Sequence, residues 1–563
     1  MPTDPTLLDT LDQARAAFDD ERWDDGIPLW ERLTAANPLQ STWWLALAIS
    51  REGVGQHAEA IDAWLRVRAL GDEFVMHPAM RIARCLLSLG DTPSALDWVQ
   101  RAYVEGYLDL DALRTDDIFE PLRTDPGFRE MAGLMPDEDD HTIRWQRDLA
   151  FAGREIRRRA FDPTRRLDQI DLEGRIAALQ QRVPELTDAQ MLLELHHLLR
   201  LLNDGHARVR VPEDRVDLQQ ALPLQLFCFP EGVVITAAAP AIADLAGCRI
   251  LQVGDHAMTT VMQAFEPIIT RDNENEYWFL RCLQDWLPYT TALHALDLIP
   301  NPDAADLTVE TPDGDIRTVT VEVDPEWPFR RFRHRIDHPE GWTFYPERLE
   351  TPVPLYLRHL DRTIWCEALT DDATMYVQFN AVMDQPEETL AEFGRRMRAE
   401  FDTQRLERLV LDMRWNWGGN TLQEWPLLHQ IVGHSRINRR GGLFVIMGRD
   451  TFSAAQNGVN FLATHSEAVF VGEPSGSGPQ FVGETNHFTL PYSGFVLNVS
   501  VLHWVGTWPG DTRRWLPPDI LTPPTLDAWR ENRDPALEAI LAIPLHVSEE
   551  APDIMPDQTA PPG

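Results

Sequence analysis

Lysine is absent from this sequence: all 51 residues counted as lysine plus arginine, in a chain of 563 residues, are arginine. An arginine side chain keeps its proton near neutral pH, so no cationic side chain of this chain can serve as a general base. If a serine acts as a nucleophile here, its proton must go to a histidine or to another group. The missing lysine therefore restricts the catalytic chemistry before any motif is considered.

Cysteine is scarce, and the residues are widely scattered. The five are Cys85, Cys228, Cys248, Cys282 and Cys366. No two of them are spaced like the close pairs of a zinc site or a redox motif. We therefore expect reduced, mostly buried thiols.

The sequence also lacks a long apolar run and a positively charged start. No run approaches the length that spans a bilayer, and the opening residues MPTDPTLLDTLDQ contain acids where a signal peptide needs positive charge. These absences predict a cytoplasmic location. The formal net charge of -38 disfavours nucleic acid and anionic membranes as partners, because both repel an acidic chain. A basic ligand, or solubility alone, fits this charge better.

The composition that remains is that of a folded, soluble protein with several domains. Apolar residues make up 44% of the chain and charged residues 25%, as in ordinary globular proteins. The chain is too long for a single hydrophobic core and should divide into roughly three or four domains.

Residues 1–140 contain a repeat. Three segments begin 34 and then 35 residues apart: RWDDGIPLWERL from Arg22, QHAEAIDAWLRV from Gln56 and DTPSALDWVQRA from Asp91. Each places a small residue before an aliphatic one, at Gly26, Ala60 and Ala95. This period is typical of tetratricopeptide repeats, which stack helix pairs and leave a concave groove. The region could be a stabilising spacer or a peptide-docking surface, and the sequence leaves both interpretations open.

The middle of the chain changes from helical to strand patterns. Residues 141–212 are predicted to form a helical subdomain, with a capping box at Thr187 and Gln190. Short alternating strands over 213–330 predict a small β-rich domain. Residues 331–351 are predicted to be a linker, and the basic cluster PFRRFRHR at its start is interpreted as solvated linker rather than a carboxylate-binding patch.

One hairpin stands out in the β-rich domain. The segment ADLTVETPDGDIRTVTVEV has Asp313 and Gly314 between two alternating runs. An Asp-Gly pair favours the backbone conformation of a tight hairpin turn.

Residues 352–545 alternate between strand and helix patterns. The predicted strands are MYVQFN, RLVLDMRW, GLFVIMG and AVFVGE, and the predicted helices between them are PEETLAEFGRRMRAEF, TLQEWPLLHQIVG and SAAQNGVNFLATH. This alternation predicts a mostly parallel sheet with crossover helices. The loops Asn416–Asn420 and Arg449–Ser453 should then meet at the carboxyl ends of the strands, where such sheets bind ligands. The tail, 546–563, is predicted to be disordered.

Ser453 stands at a strand-to-helix turn and allows two interpretations. With Gln456 it matches a capping box, in which the hydroxyl accepts a hydrogen bond from an early helix amide. Alternatively it is a nucleophile at a helix N-terminus, where free amides stabilise an oxyanion. The glycines of the WGGN segment could supply a second amide, or they could form an ordinary turn capped by Asn420.

An ordered series of motifs resembles a known family. LERLVLDMRWNWGGN, TFSAAQN, AVFVGEPSGSGPQFVGE, FTLP and WLPPDI follow one another as in the core of the tail-specific, or C-terminal-processing, serine peptidases, a superfamily that includes the tricorn protease core. Upstream, LLNDGHARVRV is similar to that family's D-x-H element, and GVVITAAAPAIADLAGCRILQVGD resembles a degenerate PDZ-type domain. The resemblance covers about residues 141–545.

This resemblance implies a multidomain α/β protein. Its parts would be the all-α tetratricopeptide-like region, the helical subdomain, a PDZ-like β domain and a peptidase core of the ClpP/crotonase type at 352–545. It also implies that Ser453 is the nucleophile, with amides of Gly418 or Gly419 and of Ala454 in the oxyanion hole. Many members activate the serine with a lysine after the GE motif, but here that segment is GEPSGSGPQ.

A histidine must therefore replace the lysine, and the resemblance to the tricorn-like branch implies His206. A neutral imidazole can take the serine proton and return it to the leaving amine. The alternative is that Gly205 and His206 only end a helix. Other histidines of the core are His429, His465, His487 and His503, of which His503 is the next candidate.

The same branch places an acid downstream of the nucleophile, which implies Asp511 as the residue that orients the imidazole. Glu473 and Glu484 lie in nearby VGE motifs and are alternatives, and Asp519 is interpreted as a turn residue. Asp412 and Arg414 are expected to pair with neighbouring charges.

The function expected from these residues is hydrolysis of peptide bonds by a serine peptidase that needs no metal or cofactor. The PDZ-like domain would present an extended peptide, and the repeats could recruit a protein partner. A non-catalytic ligand- or peptide-binding protein on the same fold is the alternative, since fold does not fix function. A third possibility makes the repeat groove the main site.

Overall fold

The computed structural model describes residues 5–71, 76–162, 164–327 and 339–545. The helices are α1 Pro5–Asp19, α2 Trp23–Ala36, α3 Ser41–Gly53, α4 His57–Ala69, α5 Pro78–Ser88, α6 Thr92–Val104, α7 Leu110–Thr115, α8 Pro126–Ala132, α9 His141–Arg159, α10 Arg166–Gln169, α11 Leu172–Arg182, α12 Asp188–Arg200, α13 Met258–Ala264, α14 Glu276–Trp286, α15 Thr290–Ala295, α16 Leu390–Thr403, α17 Thr421–Val432, α18 Ala454–His465, α19 Leu526–Arg530 and α20 Pro535–Leu541. The strands are β1 Arg208–Arg210, β2 Leu224–Phe229, β3 Gly232–Ala238, β4 Arg249–Val253, β5 His256–Ala257, β6 Ala304–Glu310, β7 Ile316–Glu322, β8 Thr343–Phe344, β9 Ile364–Leu369, β10 Thr374–Phe379, β11 Arg408–Asp412, β12 Leu443–Met447, β13 Val469–Gly472, β14 Gln480–Thr489, β15 Val496–Val505 and β16 Ile520–Leu521.

The chain divides into two compact units. The first, unit 1, contains the described residues of Met1–Ala160, Asp171–Pro184 and Asn486–Asn498. The second, unit 2, contains those of Phe161–Ile170, Glu185–Thr485 and Val499–Gly563. The predicted tail at 546–563 lies outside the described residues, as does the basic cluster from 328 onward.

Unit 1 confirms the repeat pattern as helix pairs. The small residues Gly26, Ala60 and Ala95 are buried on α2, α4 and α6. The helices pack around an apolar cluster in which Trp64 and Leu33 are fully enclosed. Small residues at the repeated position therefore permit the close helix packing that the period predicts.

Unit 2 contains the predicted parallel sheet, with strand order β16-β13-β12-β11-β10-β9. Neighbouring strands from β10 to β13 run parallel, and only the edge strand β9 is antiparallel to its neighbour β10. All seven strand and helix segments predicted between residues 375 and 472 are present. Leu409, Leu411 and Val445 are fully buried against α16 to α18, because both faces of a parallel sheet are covered.

A second sheet of unit 2 forms the β-rich region, in the order β2-β3-β4-β6-β7 with β5 on β4 and β8 on β3. The hairpin around Gly314 is present, although five residues rather than two separate β6 from β7. Three helices, α13 to α15, interrupt this region and were not expected from the sequence. The remaining sheet has the order β1-β15-β14.

The linker prediction for 331–351 is wrong where the structure describes it. Thr343 and Phe344 pair with β3, and Trp342 is only 6% exposed. Aromatic side chains buried against the second sheet hold this stretch in place. Residues 331–338 lie outside the described residues.

The carboxyl-terminal helices belong to the core of unit 2. Arg408, 1% exposed, donates hydrogen bonds to the carbonyl oxygens of Ile540 and Ile543. Arg414 pairs with Asp534 through both terminal nitrogens, at 2.9 and 2.8 Å. These contacts fix α20 against the parallel sheet. Among the described residues, no helix is long and apolar enough to cross a membrane.

Candidate active site

The two predicted loops meet at the carboxyl ends of the adjacent strands β11 and β12. The Phe452 amide donates to the Asn416 carbonyl over 3.1 Å. A Cβ added to Gly418 would lie 2.7 Å from Cβ of Ser453 and 2.9 Å from the amide nitrogen of Ala454. Gly418 also has φ of +103°, so only glycine fits at this point of contact.

Ser453 has a strained backbone and no capping bond. Its φ of 56° and ψ of -125° lie outside the regions that non-glycine residues usually occupy. Its hydroxyl makes no capping hydrogen bond, and Gln456 instead donates to Asn460. The capping-box interpretation of Ser453 is therefore wrong. A sharp turn that presents a serine at a helix N-terminus is typical of nucleophiles.

Backbone amides beside Ser453 form a candidate oxyanion hole. The amide of Gly418 donates to Oδ1 of Asn416 at 3.0 Å and is thus already engaged. Among the described residues, the amides of Gly419 and Ala454 donate no hydrogen bond. These two are the donors that the loop and the N-terminus of α18 leave for a ligand.

His206 and Ser453 line one cavity of about 550 Å³ in unit 2. The imidazole packs against Phe452, the residue before the serine, with ring centroids 4.4 Å apart. It also stacks on Phe481 at 5.9 Å. His206, which lies more than two hundred residues before Ser453 in the sequence, thus contributes its imidazole to the same cavity.

Both ring nitrogens of His206 are buried, and neither has a hydrogen-bond partner among the described residues. Burial, the largest cause, and the nearby charge of Arg208 together lower the pKa of His206 to about 3, while the backbone of Val482 acts in the opposite direction. The imidazole is therefore neutral at physiological pH, which is the form that a general base requires. In this state it makes no hydrogen bond to Ser453.

Two buried carboxyl groups hold the backbone around His206. Oδ1 of Asp204 accepts from the His206 amide at 2.9 Å, and Oδ1 of Asp272 accepts from the Gly205 amide at 2.9 Å. Ser500 donates to Asp204 from its amide and its hydroxyl, both at 2.8 Å. Burial raises the pKa of Asp204, and raises that of Asp272 well above its usual value. Helix α12 ends at Arg200, and the backbone of Gly205 does not have the left-handed conformation of a helix cap. The interpretation that Gly205 and His206 only end a helix is therefore wrong.

The expectation that Asp511 orients the imidazole does not agree with its contacts. The carboxylate accepts from Nη2 of Arg513 at 2.7 Å and from the hydroxyl of Thr507 at 3.0 Å. The hydrogen bond from Arg513 lowers the pKa of Asp511. Because the His206 nitrogens have no partner, Asp511 does not hold the ring in this structure.

The alternative acids are also engaged elsewhere or exposed. Glu473 forms a buried ion pair with Arg449 at 2.6 Å, and Asp519 accepts from the Phe470 amide at 2.9 Å. Glu484 is exposed and has φ of 54°. Asp412 and Arg414 pair with each other, as expected.

The other predicted histidines lie away from the cavity lining. His429 and His465 pack on Phe461, and His503 stacks on Phe161. His487 is in β14. A histidine that sequence reasoning missed, His196, does line the cavity and packs edge-on against Trp286 at 4.8 Å. Its position on the apolar face of α12 gave no signal.

A second missed set of residues supports the nucleophile loop. Trp278 of α14 stacks on Phe452 with centroids 3.6 Å apart. Arg281 of the same helix pairs with Asp450 at 2.9 Å. Helix α14 was not predicted, so its two contacts with the loop before Ser453 could not be foreseen. Among residues 5–71, 76–162, 164–327 and 339–545, no group of three or more His, Cys, Asp or Glu could hold a metal ion.

Comparisons with known proteins find one matching family model and several solved structures that are similar to this chain. Residues 11–73 match the tetratricopeptide repeat family. The structure of mature CPAF complexed with lactacystin is similar over 71% of this chain and 97% of that one, with 13% identity and a TM-score of 0.51. The photosystem II D1 C-terminal processing protease matches over 72% and 97%, with 14% identity and a TM-score of 0.35. The tricorn protease matches over 72% and 37%, with 11% identity and a TM-score of 0.32.

No curated protein sequence matches the chain. The likeness to mature CPAF supports the predicted fold, and the family match supports the tetratricopeptide region at the amino-terminal side.

Proposed function

We propose that this chain is a serine peptidase in which Ser453 is the nucleophile and His206 the general base. The observation that carries the proposal is the strained turn at Ser453, which approaches Gly418 of the glycine loop and lines one cavity with His206. A peptidase needs these groups together, whereas a structural turn needs none of them.

The chemistry follows from these positions. Ser453 Oγ attacks the carbonyl carbon of a bound peptide while His206 accepts its proton. The amides of Gly419 and Ala454 donate to the resulting oxyanion. The protonated imidazole then gives its proton to the leaving amine, and water attacks the acyl-enzyme in the second half of the reaction.

The base works as a pair with the serine, without a carboxylate on the imidazole. In this structure neither ring nitrogen has a partner among the described residues, and we expect the hydrogen bond to the Ser453 hydroxyl to form when substrate binds. Catalytic hydrogen bonds that are long or absent in a free enzyme often form in the complex.

The finer parts of the proposal concern the regions around the site. The sheet β2-β3-β4-β6-β7 serves as the PDZ-like domain that presents an extended peptide, and residues 352–545 serve as a core of the ClpP/crotonase type. The tetratricopeptide region docks a protein partner, and the protein acts in the cytoplasm on peptide or protein substrates.

Labelling with a fluorophosphonate tests the proposal directly. The wild-type chain should be modified at one serine, Ser453→Ala should not be modified, and His206→Ala should be labelled at least about 100-fold more slowly. His503→Ala is the matched control and should label like the wild type, because His503 is stacked on Phe161. Labelling that persists in Ser453→Ala would contradict the assignment. Absence of both labelling and peptide cleavage in the folded wild type would favour a non-catalytic binding protein.

A further inference from the structure

A second cavity of unit 2 shares a loop with the active-site cavity. Gly448, Arg449 and Asp450 line this second cavity, and Phe452 and Ser453 line the first. The two sets are consecutive parts of the loop that connects β12 to α18. The wall of the second cavity therefore includes part of the segment that presents the nucleophile.

The walls of the second cavity come from two sheets and from the carboxyl-terminal segment. Six aromatic side chains line it: Phe227, Phe229, Phe344, Tyr356, Trp415 and Trp529. Met447 and Gly472, at the carboxyl ends of β12 and β13, form another part of the lining. Spaces between structural layers at this end of a parallel sheet are common ligand sites.

The charged side chains of this cavity are paired within the protein. Arg449 bonds Glu473, and Arg414 bonds Asp534. The two guanidinium groups also cover aromatic faces, since Arg449 lies 4.7 Å from the centroid of Phe227 and Arg414 lies 4.4 Å from that of Tyr356. A charged ligand would lose hydration without finding a partner, so the cavity favours a neutral one.

Volume and polarity limit the ligand further. The cavity measures about 100 Å³. An engineered cavity of about 150 Å³ in another protein holds one benzene molecule, so this space suits a single ring rather than a peptide or a lipid chain. Thr522 lines the cavity, and its Oγ1 is buried and has no hydrogen-bond partner among the described residues. A ligand hydroxyl would satisfy it.

We propose that this cavity binds a small neutral molecule with one aromatic ring and one hydroxyl group, and that its occupancy holds the loop Gly448–Ser453 in its present conformation. Asp450 links the two cavities physically, because it lines the second and pairs with Arg281, which lines the first. Binding goes beyond the proposed peptidase function. Only the effect of loop ordering on catalysis rests on the proposed peptidase function.

Calorimetric titration of the full chain with phenol tests the binding site. Phenol should bind the wild type and Ser453→Ala equally, and benzoate and benzylamine should bind at least about tenfold more weakly because their charge is unpaired in the cavity. Ala528→Leu fills part of the space and should weaken phenol binding at least about tenfold, since a filled cavity has no room for the ring. Equal binding of phenol to Ala528→Leu and wild type would overturn the site.

A second variant keeps the test valid if Ala528→Leu does not fold. Thr522→Val preserves volume and removes the hydroxyl, so it should weaken phenol binding by about three- to tenfold and leave toluene binding unchanged. Equal binding of phenol to Thr522→Val and wild type would overturn the hydrogen bond and the preference for a hydroxyl.

Hydrogen exchange tests the ordering of the loop without reference to activity. Saturating phenol should slow exchange at the amides of residues 448–454 at least about fivefold in the wild type and in Ser453→Ala. Unchanged exchange with phenol bound would overturn the loop ordering. Failure of the peptidase proposal would show instead as an unlabelled Ser453 alongside intact phenol binding.

Discussion

The two halves of the candidate active site are held in different ways. On the nucleophile side, adjacent parallel strands deliver two loops whose backbones touch, as the 2.7 Å approach of a Gly418 Cβ to Ser453 shows. On the imidazole side, the His206 ring is held by Phe452 and Phe481 and by burial, with no hydrogen bond to either nitrogen. The first half is built by hydrogen-bonded backbone and tolerates no added atom. The second is built by apolar packing and depends on the exclusion of water.

Adding one methyl group to the nucleophile side should have the largest effect on catalytic activity. Gly418→Ala places Cβ within 3 Å of Ser453, the Phe452 carbonyl oxygen and the Ala454 amide, at a positive φ. We expect kcat/KM for a peptide substrate to fall by about 1,000-fold, because the amide of Ala454 and the serine must both move. Gly314→Ala is the control, since it also has a positive φ but nothing lies within 4 Å. Similar activity of the two variants would contradict the tight fit.

Exposing the His206 imidazole to water should change the pH dependence of kcat/KM, which tests how far the imidazole side of the site depends on burial. Because burial lowers the pKa of His206 to about 3, the base stays neutral as pH falls, and the acid limb of kcat/KM should lie far below the ordinary value of 6.5. Phe481→Ala exposes the ring, raises its pKa toward 6.5 and should move the acid limb up by at least about one pH unit. Rates measured between about pH 4 and 8, with circular dichroism to verify folding, give the answer. If the acid limb of the wild-type profile lies near pH 6.5, the imidazole is exposed to water and the burial argument is contradicted.

The tightly built half also contains an unsatisfied group, and removing it should stabilise the fold. Glu424 on α17 is fully buried, neither carboxyl oxygen has a partner among the described residues, and Oε2 lies 2.6 Å from where a Cβ of Gly458 would be. Burial raises the pKa of Glu424 well above its usual value. The folded state therefore keeps the proton, and this side chain reduces stability as pH rises above the unfolded-state pKa.

Glu424→Gln should consequently raise the free energy of unfolding at about pH 8 by about 1–3 kcal/mol and change it little at about pH 4. Calorimetric melting at the two pH values measures the difference. Glu387→Gln, at an exposed position just before α16, is a control without burial. A Glu424→Gln chain that melts below the wild type at the higher pH would contradict a protonated carboxyl.

Asp511→Asn should have the smallest effect on catalysis. Its carboxylate bonds Arg513 and Thr507 rather than the imidazole, so we expect kcat/KM to fall less than about tenfold. An acid that orients a catalytic histidine would instead cost about 10,000-fold when changed to asparagine. A loss of that size would restore Asp511 to the site and would mean that the imidazole side rearranges on substrate binding.

The nucleophile half was predictable because its determinants are local. A strand period followed by a helix period gives the order of β11, α17, β12 and α18, and parallel pairing then brings their loops to one edge of the sheet. Gly418 and Ser453 could be placed together on that basis alone. The distinction between the Gly418 and Gly419 amides could not, since it depends on the side chain of Asn416.

The imidazole half depended on the family resemblance, because nothing local connects residue 206 with residue 453. Long-range contacts decided what sequence reasoning missed: α14 brings Trp278 and Arg281 to the nucleophile loop, and α12 brings His196 to the cavity. Asp511 illustrates the opposite error, since a suitable residue type at a suitable position is engaged by Arg513, two residues away.

The buried guanidinium of Arg408 makes the stability of the fold depend on residues near the carboxyl end of the described chain. Its hydrogen bonds end on the carbonyl oxygens of Ile540 and Ile543, close to the last described residue. Trimming from the carboxyl end that removes Ile543 would leave one terminal nitrogen of this buried cation without its acceptor, and trimming that also removes Ile540 would take away the second acceptor.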